Sequence, residues 1–209
     1  MRFALLLGLL LAPCARAGVI TGSAHDFSLT AWAAGEICIA CHAPHRANGS
    51  IGVAAPLWNH QESVQAYRLY SSSSMKAAMY QPAAMSKLCL SCHDGTLAVD
   101  SFGRYAGSRF ISGANNLGTD LNVHHPSSFV YDAALAAVNR SLFNPNSRTV
   151  TIGGGGQTRT GTVEELLLYD GRIECSSCHD VHNTFSATNV ALMKITEQGS
   201  ALCFACHNF

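Results

Sequence analysis

Charge is scarce in this chain. Only 12% of its 209 residues are Asp, Glu, Lys or Arg, and the 13 acids balance the 13 bases, which leaves no basic stripe for nucleic acid. Past the N-terminus no segment approaches the roughly 20 apolar residues that span a bilayer. A phosphate loop is missing too, because the run Gly153 to Gly156 is not followed by Lys-Ser or Lys-Thr in the right frame. No Ser, His and Asp set and no paired carboxylates can be assigned from spacing, so no separate hydrolytic site is expected.

What is present begins with residues 1–17, MRFALLLGLLLAPCARA, where Arg2, an apolar run and the small pair Ala15 and Ala17 form a secretory signal cut before Gly18. Cys14 would be the only candidate for lipid attachment, but Pro13 disfavours it. Losing Arg2 and Arg16 takes the 13 bases to 11 against 13 acids, so the mature chain, residues 18–209, is mildly acidic. It is expected outside the cytoplasm, without a transmembrane segment.

Nine cysteines less Cys14 leave eight, which in an exported protein would ordinarily mean four disulfides. The spacing argues otherwise. All eight fall in C-x-x-C-H units: Cys38, Cys41 and His42; Cys89, Cys92 and His93; Cys175, Cys178 and His179; Cys203, Cys206 and His207. Two thiols three positions apart share one side of a helical turn and can form thioethers to a porphyrin, while the next residue offers an imidazole to the iron. Four such units that use every mature cysteine make zinc or disulfides improbable and point to four covalently bound haem c groups, with His42, His93, His179 and His207 as proximal ligands.

The sixth position on each iron decides between open-site chemistry and electron transfer. Six histidines remain for four places: His25, His45, His60, His124, His125 and His182. His45 and His182 each follow a motif histidine by three residues. Neither can reach the far face of its own haem, so each serves another haem or none. His124 and His125 are neighbours whose side chains diverge, so one of the two is expected to ligate. His25 and His60 compete for the last place. Met75, Met79, Met85 and Met193 are not needed as ligands and read as core filler. Trp58 reads as a core aromatic.

Regular structure is expected to be sparse: a mostly irregular fold of short α-helices and few β-strands, organised by haem. Tyr131 to Phe143 has the helical period, and Pro126 suggests a helix start just after His125. Thr162 to Gly171 is either a helix or a strand, Arg148 to Ile152 a strand, and both Ser71 to Ser74 and Gly153 to Gly156 loops. The motif order suggests two dihaem units, about 18–109 and 110–209. With about 48 residues per haem, the porphyrins must supply much of the core and folding should be coupled to their binding.

With these residues in view, the chain resembles the multihaem cytochromes with doubled C-x-x-C-H motifs. Within them it is similar to the extracellular tetrahaem nanowire cytochromes of the outer-membrane cytochrome type E kind. The phrases GSAHDFS, GEICIACHAPH, APLWNH, SKLCLSCHDGT with VDSFG, HPSSFVYD and IECSSCHDVHN carry the likeness in order. The resemblance implies a homopolymer in which His45 ligates the last haem of the neighbouring subunit. It also implies His25, His125 and His182 as internal distal ligands, leaving His60 and His124 aside.

The expected function is therefore electron transfer rather than enzymatic turnover, along stacked haems in an extracellular or cell-surface filament. Its partners would be other copies of the chain, redox proteins and extracellular acceptors. The alternatives are a monomeric periplasmic carrier and a small-molecule reductase with one open haem.

Overall fold

The computed structural model describes residues 20–43, 55, 57–154, 157–187 and 191–208. The signal segment with Cys14, and His45 of the first motif region, lie outside these residues. Short helices and two two-stranded sheets are set in a mostly irregular chain, as expected. No helix among the described residues is long and apolar enough to cross a membrane.

Helix α1, Ala84–His93, carries the whole second motif. It stops where Gly95 takes φ +72°, the left-handed conformation that ends helices. A side chain there would also collide with that of Asn116. Helix α2, Ala133–Val138, starts on Asp132, whose carboxylate accepts from the Leu135 amide at 2.8 Å. It is shorter than the helical period of 131–143 predicts. Asn139 turns the chain by accepting from the Ser141 amide, and Leu142 then bridges to His207 in the fourth motif. Tertiary pairing has replaced the last helical turn.

Strand β1, Phe129–Val130, stands where Pro126 suggested a helix start. Ser128 at φ 62° turns the chain to donate its amide to the Ile173 carbonyl at 2.6 Å, and β1 then pairs antiparallel with β4, Arg172–Ile173. Strands β2, Thr149–Gly154, and β3, Gln157–Thr162, form an antiparallel hairpin in which Gly153 and Gly154 extend the expected strand, so those two are not loop. The stretch 162–171 divides. Thr162 and Glu165 close a capping box over helix α3, Val163–Leu167, after which Tyr169 turns back to bridge Arg172. Helix α4, Cys175–Cys178, and helix α5, Ala201–Cys206, carry the third and fourth motifs.

The apolar core lies in the second half of the chain. Phe129, Tyr131, Leu135, Val150, Ile152, Val163, Leu166, Leu167, Ile173, Ile195 and Ala205 form one cluster, and α3 packs between the hairpin and α4. Motif 3 is thereby set against side-chain hydrocarbon on one side and against α1, with motif 2, on the other.

Candidate haem-binding site

Each motif makes the helical turn that its spacing requires. The His42 amide donates to the Cys38 carbonyl at 2.8 Å, His179 to Cys175 at 3.1 Å and His207 to Cys203 at 2.8 Å, while His93 ends α1. That closure puts both sulfurs and the imidazole of each unit on one turn. Three of the motif histidines are also pinned from outside, His42 by a bridge to Trp58, His179 by one to Met193 and His207 by one to Leu142.

Between motifs 2 and 3 the sulfurs of Cys89 and Cys175 meet in a hydrogen bond. Burial pushes the Cys41 thiol up to about 11 and those of Cys92 and Cys206 to about 12. The bond to Cys175, and then burial, pushes Cys89 well up, while the same bond draws Cys175 down. Most of these thiols are therefore protonated and weakly nucleophilic at neutral pH until they are consumed as thioethers, which no longer titrate.

The histidines come together in three pairs. His25 faces His93 with ring centres 6.1 Å apart, His42 faces His182 at 6.2 Å, and His125 faces His207 at 6.4 Å. An ordinary ring contact spans about 4.5–7 Å, so distance alone does not single these out. Composition does: each pair joins a motif histidine to one outside the motifs. Two imidazole nitrogens bonded to one metal at about 2.0 Å each hold their ring centres roughly 6 Å apart.

Hydrogen bonding sorts the rings further. Nδ1 of His93 donates to the Asn115 carbonyl at 2.8 Å, Nδ1 of His179 to Ala191 at 2.6 Å and Nδ1 of His125 to Pro126 at 2.9 Å. Such a bond fixes the tautomer and leaves Nε2 for a metal. His60 differs, since its two ring nitrogens meet the carbonyls of Gln61 at 2.6 Å and Ala98 at 3.0 Å in a site 1% exposed. His124 has Nε2 turned to the Leu117 carbonyl at 3.3 Å. Burial first, and then the nearby His93 and His179, lower the pKa of His25 to about 4, which keeps it neutral, the form that binds metals. No described histidine is paired with His179.

The donor set fits covalently held haem. Each motif puts two thiols and an imidazole on one turn, and three of those imidazoles face a second histidine. Trp58 Nε1 and His25 Nδ1 are buried polar atoms without a hydrogen-bond partner among the described residues, and both belong to residues in the histidine clusters. A group bearing carboxylates and seated between the rings would satisfy them. The eight cysteines would hold haem through thioethers, and its iron would supply one-electron chemistry. Sequence reasoning did not find the roles of Asn115, Ala191 and Pro126, because a carbonyl acceptor leaves no trace in side-chain identity.

No curated protein matches the chain. Residues 169–209, which contain motifs 3 and 4, match the family model described as the doubled CXXCH motif. Residues 169–209 therefore carry the doubled haem-attachment motif, which indicates covalently bound c-type haem and an electron-transfer role.

Proposed function

We propose that the protein is an exported tetrahaem conduit that polymerises into an extracellular filament and passes electrons along its haems. The observation that carries this reading is the set of three mixed histidine pairs at 6.1–6.4 Å. Two nitrogen ligands per iron favour electron transfer over substrate binding. The contact of motif 2 with motif 3, where α1 packs on α4, supports passage between the two halves.

His45 is the intersubunit ligand in this reading. Its target is a haem of the neighbouring copy, the last one by the resemblance.

The test is to mature the chain with haem, weigh it and image the secreted material by electron microscopy. Four haems per chain and filaments are expected. His45→Ala should give monomers in which one haem of four becomes high-spin and binds carbon monoxide. Filaments persisting in that variant would overturn the role of His45, and a wild-type monomer with four low-spin haems would make the protein a diffusing carrier instead.

A further inference from the structure

Three of the four motifs share one backbone clamp. At motif 1 the Ala43 amide donates to the Leu57 carbonyl at 2.9 Å and the Asn59 amide to the Cys41 carbonyl at 2.8 Å. At motif 3 Asp180 donates to Leu192 and Lys194 to Cys178, and at motif 4 Asn208 donates to Ser141 and Phe143 to Cys206, all at 2.8 Å. Each pair of bonds brackets a single bridge. The motif histidine and its partner are therefore a non-hydrogen-bonded antiparallel pair, the kind that brings side chains closest. The partners are Trp58 opposite His42, Met193 opposite His179 and Leu142 opposite His207. His93, which ends α1, enters no such bridge among the described residues.

Of these partners only Trp58 is a flat, rigid ring. Its indole stands edge-on to the His42 imidazole, with ring centres 6.3 Å apart and planes at 86°. The facing histidine pairs differ in step with this. His42 and His182 lie within 25° of parallel, whereas His25 and His93 are crossed at 63° and His125 and His207 at 82°. The near-parallel pair is the one whose motif histidine is braced by an aromatic plane.

We propose that Trp58 is a positioning residue that holds the His42 ring near the plane of His182, and so makes the haem of motif 1 electronically distinct from those of motifs 2 and 4. This rests on the haem reading above. Each axial imidazole mixes its π electrons with the iron d orbital that lies across its own plane. Parallel rings act on one orbital and split it from its partner, whereas crossed rings act on both alike. A side chain that turns a ligand ring therefore tunes the iron without touching it.

Frozen-solution electron paramagnetic resonance of the oxidised, haem-loaded protein decides this, after mass measurement of attached haem. Absence of attached haem, or high-spin signals throughout, would sink the haem reading itself. Low-spin ferric haem with near-parallel ligand rings gives a rhombic signal of three resolved g values, and haem with crossed rings a single feature at larger g. The wild type should show both.

Trp58→Leu, which gives motif 1 the partner that motif 4 has, should lose the rhombic signal of one haem and gain large-g intensity in its place. Trp58→Phe, which keeps a flat ring, should retain that signal. A wild type without a rhombic signal overturns the proposal, as does an unchanged one in Trp58→Leu or its loss in Trp58→Phe as well. Should Trp58→Leu fail to mature, Trp58→Met, which gives motif 1 the partner of motif 3, is read in the same way.

Discussion

Among the described residues from 20 to 109 the buried hydrophobic positions are Ala33, Ala40, Tyr67, Leu88, Leu90 and Ala98, and they are outnumbered by the buried polar ones, Asn59, His60, Ser63, Ser86, Ser91, Asp94, Asp100 and Ser101. From 110 to 208 a single cluster of eleven apolar residues forms the core. The first half is knit by hydrogen bonds. Asp94 accepts from Ser63 at 2.5 Å and Tyr67 at 2.7 Å through one oxygen, and from the Thr96 amide and hydroxyl at 2.8 Å through the other. Asp100 in turn takes the amides of Ser108 and Arg109. A polar network organises a loop but buries little hydrocarbon, so the half containing motifs 1 and 2 depends more on apolar surface supplied by the cofactor. The halves are tied together by the pairing of His42 with His182 and by the bond of Ser86 to Glu174.

The sharpest way to break this contrast is to make the chain without haem attachment. Limited proteolysis should then cut first between residues 20 and 109, while fragments from 129–206 survive longer. Equal lability of both halves would show that the eleven-residue cluster does not stand by itself.

A smaller effect is expected from Leu166→Ala, which empties a position 7% exposed in that cluster and should cost about 2–5 kcal/mol in denaturant melts. Smaller still is Tyr67→Phe, which removes one bond to a carboxylate and should cost about 1.5 kcal/mol. Acid should reach the same network. Burial raises the Asp94 carboxyl, but the bonds from Ser63, Thr96 and Tyr67 outweigh it and hold its pKa below the ordinary value. Its contribution is therefore fully present above about pH 4 and fades as pH falls through the lower folded value. Asp94→Asn should flatten that acid limb, as read by urea melts of the haem-loaded protein at several pH values.

Much of the site was legible in the sequence because C-x-x-C-H is a local device. Its three reactive side chains are placed by one helical turn, and that turn forms in each motif whatever surrounds it. The sparse regular structure, the strand before Gly153 and the helix around Leu135 were legible for the same reason, being set by periods of a few residues. The end of α2 and the strand after Pro126 were not, because Leu142 and Ser128 answer to partners 65 and 45 positions away, His207 and Ile173.

By itself, then, the sequence determined which atoms are available to haem: eight paired sulfurs, four adjoining imidazoles and six further histidines. Only the tertiary structure decided which ring faces which, how His60 and His124 are engaged by carbonyls, and that Trp58 stands opposite His42. The physical reason is range. Attachment geometry is fixed within five consecutive residues, whereas pairing and burial require segments dozens of positions apart, 68 for His25 and His93 and 140 for His42 and His182, to be brought together by the whole fold.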